Sequence, residues 1–283
     1  MIKDILAKRW EVGAEHYALG SNGFNENQWL KIMENLLGIK GGDGNNKQAL
    51  DVGTGPGVLA FVLVKLGYEV TGLDLSASML SIAEKRKGEL GVSCSFIKGD
   101  AEDLPFESNT FDLVTNRLNL WALPNPGKGV FHWVRVLKPG GKLVLIVNDR
   151  KHPFEELKKP KNNRHIFTDE YYNTFQHLPF STATPSQVKA LVEAAGLHHV
   201  FIQTFIDERS FSSTDIKHVL TANHIEEKEI EALNIDSGIV NEQQLKNILK
   251  RYNIREMEVQ SNQGDIQLIM RKRMAAIIGQ KEK

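Results

Sequence analysis

A glycine-rich turn between an apolar strand and an apolar helix constrains this chain more than any other stretch of it. Residues 49–60 read Ala-Leu-Asp-Val-Gly-Thr-Gly-Pro-Gly-Val-Leu-Ala. Glycines allow left-handed backbone angles and a close approach of the main chain to a ligand, and the start of the following helix offers free N–H groups. The stretch therefore predicts a nucleotide-type cofactor site. Because Gly55, Gly57 and Ala60 also satisfy the dinucleotide pattern G-x-G-x-x-G/A, the turn alone does not choose between cofactors.

Apolar strands and helices alternate around this turn. One helix is predicted behind Ser76 and before Gly88, and another behind a capping box of Thr184 and Gln187. The segment 142–147 is continuously apolar, which is typical of a parallel strand covered on both faces. These repeated units predict an α/β fold, a doubly wound and mostly parallel sheet that binds ligands at the carboxyl ends of its strands. Strands are predicted at 48–52, 69–74, 93–98, 111–115, 142–147, 198–206 and 265–271.

Helical segments precede and follow this core. Asn25 and Gln28 are placed to cap a leader helix as N-cap and third-position partner. The connection after 147 is far longer than the roughly 2 to 6 residues of an ordinary one, and its aromatic content favours a lid over a disordered linker. The expected segments are a helical leader and cofactor cover (1–46), a cofactor-binding core (47–150), a lid segment (151–183), a core helix and strand (184–206), a helical insertion (207–260), and a final strand with a tail (261–283).

Composition excludes several classes of partner. Lys+Arg and Asp+Glu both count 35, so no overall field draws the chain to nucleic acid or to an anionic membrane. The single cysteine, Cys94, excludes an internal disulfide, falls in a predicted strand and is expected to fill the core. The charged start and the lack of an apolar run of about 20 residues argue against a signal peptide and a membrane span. We expect a cytoplasmic protein.

Two acidic positions bear on the choice of cofactor. Asp74 ends the second predicted strand, where a carboxylate can accept both hydroxyls of a ribose. The loop 99–106 is acidic, and Asp100 could accept the amino hydrogens of an adenine. Such carboxylates, together with Asp51, would repel a pyrophosphate but suit a cationic sulfonium. Within this loop, Glu102 and Asp103 are expected to be solvated.

Five ordered motifs carry a family resemblance: Ala-Leu-Asp-Val-Gly-Thr-Gly-Pro-Gly, Gly-Leu-Asp-Leu-Ser, Gly-Asp-Ala-Glu-Asp-Leu-Pro-Phe, Phe-Asp-Leu-Val and Arg-Val-Leu-Lys-Pro-Gly-Gly. In this order and spacing, the region from about 48 to 147 resembles class I S-adenosylmethionine-dependent methyltransferases of the type 11 group, which is similar to quinone-biosynthesis methyltransferases. The resemblance implies the Rossmann-like methyltransferase fold, S-adenosylmethionine as cofactor and a small-molecule methyl acceptor. It implies a cofactor site of Tyr17, Asp51, Gly53, Thr54, Gly55, Gly57, Asp74, Leu75, Asp100, Ala101 and Asn116.

The resemblance also divides these roles. It places the glycine turn around the methionine part of the cofactor, Asp74 on the ribose, and Asp100 with Ala101 beside the adenine. Trp10, Ala14 and Tyr17 resemble positions that fold over the cofactor; the alternative is that they only anchor a terminal helix.

The acceptor side is less defined. Asn119, Trp121, Tyr171 and Tyr172 are the candidate acceptor contacts. The sequence after strand four is Asn116-Arg117-Leu118-Asn119, whereas methylation of nucleic-acid adenine or of glutamine would favour Asn-Pro-Pro-Tyr.

Chemical groups for catalysis are also sparse. Methyl transfer from a sulfonium depends mainly on positioning and desolvation. Asp149 and His152 are candidate general bases beyond strand five. Asn148 and Asp149 could offer oxygen ligands, but a carboxylate is missing after strand four, so no metal is predicted.

Two other functions stay open from the sequence. One is a protein that binds the cofactor without catalysis, and the other is a dinucleotide-dependent oxidoreductase. The acceptor, the methylated atom and the oligomeric state are left open as well.

Overall fold

The computed structural model describes residues 2–20, 24–150, 173–175, 177–222, 225–233, 235, 240–252, 254, 256–262 and 265–283. Their framework is one sheet with the strand order β3-β2-β1-β4-β5-β8-β6, in which β7 pairs with β8. β1 to β5 run parallel to one another, and β8 runs antiparallel to β5, β6 and β7. The strands are β1 Gln48–Val52, β2 Glu69–Asp74, β3 Ser95–Lys98, β4 Phe111–Arg117, β5 Leu137–Asn148, β6 His198–Phe211, β7 Met257–Asn262 and β8 Asp265–Gln280.

Helices cover both faces of this sheet, which confirms the doubly wound, mostly parallel α/β fold. Apolar residues of α3 and α4 pack on one face, and those of α6 and α7 pack on the other. The helices are α1 Ile2–Val12, α2 Ala14–Gly20, α3 Glu26–Leu37, α4 Val58–Lys65, α5 Ala77–Leu90, α6 Pro126–Val136, α7 Pro185–Ala194, α8 Ser213–Ala222, α9 Glu227–Ala232 and α10 Glu242–Arg251.

Local capping explains where several helices begin. The Ser76 hydroxyl accepts a hydrogen bond from the Met79 amide at the start of α5. Thr184 and Gln187 form the expected capping box at the start of α7. The Asn25 side chain caps α3 as expected by accepting the Gln28 amide, but the Gln28 side chain does not bond back to Asn25. It bonds the backbone of β6 at Ile206 and Glu208 instead, and so ties the leader to the sheet.

Several element boundaries differ from the sequence prediction: β4, β5 and β6 are longer than predicted, and three further elements differ as follows. α5 runs through Gly88 and ends at Leu90, because the left-handed cap residue is Gly91. β3 begins only at Ser95, so Cys94 lies just before the strand, where it is half-buried against the core. The last strand does not end at 271 but continues to Gln280.

The long β8 has two halves with different partners. Residues 274–280 pair with β5, whereas residues 265–270 pair with β7. On its other side β8 pairs with β6 from one end to the other. Because Asn148 is the last residue of β5 and lies opposite Met274, the outer half of β8 extends beyond the carboxyl end of β5.

A separate apolar cluster forms around this extension. It contains residues of α8, α9 and α10 packed against the outer halves of β6 and β8 and against β7. The segment 207–260, expected to be helical, thus also contains the end of β6 and most of β7. Among the described residues, no helix combines the length and the apolar character needed to cross a bilayer.

The leader is part of the hydrophobic core, which gives a first prediction. Trp29 of α3 is fully buried, stacks on Phe24 and meets Phe205 of β6 edge to face. Trp29→Ala should lower the free energy of unfolding by about 3 to 5 kcal/mol, measured by urea denaturation, because it empties a large buried volume. Phe131→Ala, at an exposed ring, is the control and should change it by less than about 0.5 kcal/mol. Equal effects would show that α3 is not integral to the core.

Candidate functional site

A pocket opens where β1, β2 and β4 end, and the leader helices close one side of it. Nine of the eleven predicted cofactor residues line it, all except Gly57 and Asn116. The lining consists of Lys3, Leu6, Trp10, Tyr17, Asp51, Gly53, Thr54, Gly55, Pro56, Val58, Leu59, Leu73, Asp74, Leu75, Met79, Gly99, Asp100, Ala101, Glu102, Arg117, Leu118, Asn119, Ala122, Leu123 and Pro124.

Asp51 is a buried carboxylate at the base of the pocket. Its two oxygens accept hydrogen bonds of 2.7 Å from the hydroxyls of Thr54 and Thr115. Burial raises the pKa of Asp51 to about 6, although these bonds and the charge of Arg117 oppose the rise. The side chain therefore shapes the turn and also offers the pocket a group that ionises near neutral pH.

The glycines of the turn have different roles. A Cβ on Gly53, which has φ +67°, would lie 2.5 Å from the Asn119 side chain, so this position admits only glycine. At Gly55, with φ +54°, a Cβ would meet nothing nearer than 4.0 Å, and that open space faces the pocket between Met79 and Tyr17. Gly57 lies off the pocket, and its missing Cβ makes room for the ring of Phe61 instead.

Asp74 lies at the end of β2, opposite the turn. Its oxygens accept the amides of Gly55 at 2.8 Å and Ser76 at 2.9 Å. Burial raises the pKa of Asp74, and the backbone hydrogen bonds oppose this rise. A carboxylate has about four lone-pair directions, so Asp74 keeps acceptor capacity toward the pocket.

The acidic loop after β3 is joined to the leader by an ion pair. Lys3 Nζ lies 2.6 Å from both Asp100 Oδ2 and Glu102 Oε2. Burial lowers the pKa of Lys3, but the hydrogen bonds with these carboxylates outweigh it and raise the pKa overall. The expectation that Glu102 is solvated is wrong, because its side chain is buried and accepts the Asn125 amide, whereas Asp103 is exposed as expected.

The first leader helix is anchored at a second point. The Glu11 carboxylate accepts the amides of Ala77 and Ser78 at the start of α5. An anion at a helix N-terminus satisfies free N–H groups and interacts favourably with the helix dipole. Trp10 and Tyr17, in edge-to-face contact at 5.5 Å, are thereby held over the pocket.

The end of β4 and the loop after it contribute polar groups of two kinds. Asn116 is fully buried and bonds the Val52 carbonyl and the Leu120 amide, so it joins β4 to β1 rather than lining the pocket. Arg117 and Asn119 do line it. Between them, Leu118 has φ +54°, a backbone conformation that is uncommon for a residue other than glycine and recurs at functional sites.

Aromatic residues form a wall next to the pocket. Trp121 does not line it but packs on Trp10, at 6.1 Å between ring centroids, and on Phe175, at 4.8 Å. Phe175 also belongs to a small buried cluster with Leu6 and Leu178. Phe175 and Leu178 of the predicted lid segment therefore lie against the leader.

The remaining predicted residues fall elsewhere. Tyr171, Tyr172 and His152 lie outside the described residues. Asp149 is not in the pocket lining; its carboxylate pairs with Arg273 of β8 at 2.7 Å. Within the described ranges, no group of three or more His, Cys, Asp or Glu could hold a metal ion.

Sequence reasoning missed Lys3, Met79 and Arg117. Lys3 and Arg117 are cations in a pocket expected to be acidic, and no local motif marks them. Met79 is an apolar residue of α5, and nothing in its sequence context indicates that it contacts a pocket.

Comparisons with known proteins match the part of the chain that contains most of the pocket lining. The profile of a family described as a methyltransferase domain matches residues 50–145. A demethylmenaquinone methyltransferase of Renibacterium salmoninarum is 32% identical over 150 residues, covering 53% of this chain and 57% of the relative. Another, of Lactiplantibacillus plantarum, is 32% identical over 178 residues, covering 57% of this chain and 74% of the relative. This chain spans about half the length of several curated relatives that it matches.

A solved structure shows the same fold. It is phosphoethanolamine N-methyltransferase 2 of Haemonchus contortus, in complex with phosphomonomethylethanolamine and S-adenosylhomocysteine. Its superposition on this chain gives a TM-score of 0.63 at 19% sequence identity. The matched region covers 100% of this chain and 60% of the solved one.

The raised pKa of Asp51 predicts a pH dependence of stability. The folded state holds this proton up to about pH 6, whereas the unfolded chain releases it near pH 4. Raising the pH from 4 to 7 should therefore lower the unfolding free energy of the wild type relative to Asp51→Asn by about 3 kcal/mol, mostly between pH 4 and 6.

Urea denaturation of both proteins across this pH range measures the difference. Glu107→Gln, at an exposed side chain, is the control and should track the wild type within about 0.5 kcal/mol. If the unfolding free energies of the wild type and Asp51→Asn changed in parallel with pH, the raised pKa of Asp51 would be contradicted.

Proposed function

This chain belongs to the class I S-adenosylmethionine-dependent methyltransferases of the type 11 group, and on that premise we propose that it transfers a methyl group from S-adenosylmethionine to a small-molecule acceptor. The observation that carries the proposal is the pocket itself. It brings the open side of Gly55 and the carboxylate of Asp74 together at the carboxyl ends of adjacent parallel strands. Ligands of open α/β sheets bind at this edge.

The residues present fit the cofactor. The space beside Gly55 suits the methionine part, because the main chain can be approached there without a Cβ. Asp74 would accept the ribose hydroxyls with its remaining lone pairs, and Asp100 with Ala101 would border the adenine. Leu6 and Met79 supply apolar surface to the same pocket.

Charge favours a sulfonium over a pyrophosphate. Four carboxylates line the pocket, Asp51, Asp74, Asp100 and Glu102, against the two cations Lys3 and Arg117. A dinucleotide would place its pyrophosphate near the turn, beside Asp51 and Asp74, where like charges repel. When bound, S-adenosylmethionine supplies a methyl group on an already activated carbon, so the chain's own residues need mainly to orient the two molecules and exclude water.

The leader fits the role of a cofactor cover. Leu6, Trp10 and Tyr17 line the pocket from outside the core, and the pairing of Lys3 with Asp100 and Glu102 bridges its mouth. Because Asp100 is also the expected adenine contact, we propose that the leader shifts when the cofactor enters. That movement would exchange part of the ion pair for contacts with the cofactor.

The acceptor would enter from the side of the aromatic wall. Trp10 lines the pocket, and Trp121 and the buried Phe175 pack in a row behind it, so this side of the pocket is apolar and suits an apolar acceptor. The names of two relatives make demethylmenaquinone the first acceptor to test. The expectation that Tyr171 and Tyr172 contact the acceptor stays a prediction.

Cofactor binding is tested by calorimetry on the wild type and Asp74→Ala. The wild type should bind S-adenosylhomocysteine and S-adenosylmethionine, and NAD far more weakly. Asp74→Ala should weaken both cofactor affinities by about 2 to 4 kcal/mol, since each hydrogen bond to a charged acceptor contributes about 1.5 to 3 kcal/mol. The control is Glu89→Ala, an exposed carboxylate on α5, which should leave affinity unchanged. Equal or tighter binding of NAD would contradict the proposal.

Catalysis and the acceptor side are tested with Phe175→Ala. This variant should bind S-adenosylhomocysteine within about threefold of the wild type, but its rate of radiolabelled methyl transfer to demethylmenaquinone should fall at least about tenfold. Phe131→Ala, at an exposed ring on α6, is the matched control. A wild type that binds the cofactor yet methylates no acceptor would favour the non-catalytic alternative. Lost cofactor affinity with normal transfer would place Phe175 on the cofactor side.

A further inference from the structure

Arg117 is a buried cation at the edge of the pocket. It is the last residue of β4, only 10% of its side chain is exposed, and it lines the pocket. Its guanidinium carbon lies 4.9 Å from the ring centroid of Trp29 and 5.4 Å from that of Phe24. These rings hold the group in place but offer no hydrogen-bond acceptors comparable to a carboxylate.

The carboxylate nearest to Arg117 is engaged elsewhere. Asp207 of β6 accepts Trp29 Nε1 at 2.8 Å, and Arg209 donates to it through Nη2 at 3.0 Å and Nε at 3.2 Å. Arg117 Nη2 approaches it only to 4.0 Å, beyond hydrogen-bond range. Among the described residues, Arg117 Nε has no hydrogen-bond partner at all.

Three cationic side chains lie around Asp207. Besides Arg117 and Arg209, Lys272 of β8 lies in the same region, and its pKa is lowered by burial and by the charges of both arginines. Glu256 and Asp207 act on Lys272 in the opposite direction, and Asp51 of β1 and Tyr17 act on Arg117. A buried arginine with an unpaired donor is costly unless a further anion completes it.

We propose that Arg117 binds an anionic oxygen group, a carboxylate or a phosphate, of a molecule held in this pocket. The planar guanidinium with its fixed fork of donors matches such groups in geometry as well as charge. Under the proposed function, on which this inference rests, the anion has two sources: the carboxylate in the amino-acid part of the cofactor, or an acidic group on the acceptor. In both cases Arg117 is a binding residue that selects for negative charge within an otherwise acidic pocket.

The experiment compares the wild type with Arg117→Gln, using three probes. The probes are S-adenosylhomocysteine, 5′-methylthioadenosine, which lacks the amino-acid part, and inorganic phosphate. Arg251→Gln is the matched control, an exposed arginine on α10 paired with Glu229. Titrations at matched ionic strength give the affinities, and thermal melting checks that each variant is folded.

Each source of the anion has its own outcome. If the cofactor carboxylate is bound, Arg117→Gln weakens S-adenosylhomocysteine by about 10- to 100-fold and 5′-methylthioadenosine by less than about threefold. If the acceptor carries the anion, both adenosine ligands bind normally, and the variant loses the phosphate binding that the wild type shows with S-adenosylhomocysteine present. Unchanged binding of all three probes by folded Arg117→Gln overturns the proposal.

A measurement on the wild type covers the case in which Arg117→Gln does not fold. Phosphate should either compete with S-adenosylhomocysteine but not with 5′-methylthioadenosine, or bind together with both. Phosphate that does neither overturns the inference. A wild type that binds neither adenosine ligand contradicts the proposed function itself, so the two failures are distinguishable.

Discussion

The buried carboxylate of Asp51 is the interaction on which the geometry of the site depends. Its bonds to Thr54 and Thr115 fasten the end of β1 to its own turn and to β4. In this position the turn donates a hydrogen bond from the Gly55 amide to Asp74. That bond fixes the end of β2 as well. Three strand ends are thus held by two carboxylates, and the cost of burying them is offset by hydroxyl and amide donors.

Local signals in the sequence were sufficient for most strands of the sheet and for nine of the residues that line the pocket. The glycine turn and Asp74 are close in sequence, and each is tied to the end of a strand whose apolar pattern is clear. The same holds for the caps at Ser76 and Thr184. Strand ends were less predictable, because the extra length of β6 and β8 comes from pairing with each other and with β7.

Long-range electrostatic partners were not predictable in this way. Glu102 is buried because Lys3, in a helix far along the chain, neutralises it. Gln28 serves β6 rather than its own helix. Arg117 ends a strand, as many surface residues do, and only the fold brings Trp29 and Asp207 around it. The pocket therefore has two cationic residues, Lys3 in the leader and Arg117 at the end of β4. Composition alone does not reveal them.

The pairing of β6 with β8 has a consequence for the architecture as a whole. Phe211 ends β6 and lies opposite Leu268, near the start of β8, so the intervening helices and β7 begin and end at one pair of neighbouring strands. A segment whose two ends lie on neighbouring strands can be lengthened, shortened or replaced without changing the hydrogen-bond register of the rest of the sheet. The same sheet can therefore accommodate different segments between β6 and β8. Such a replacement changes the structure beyond the carboxyl end of β5 but leaves the pocket edge of the sheet unchanged.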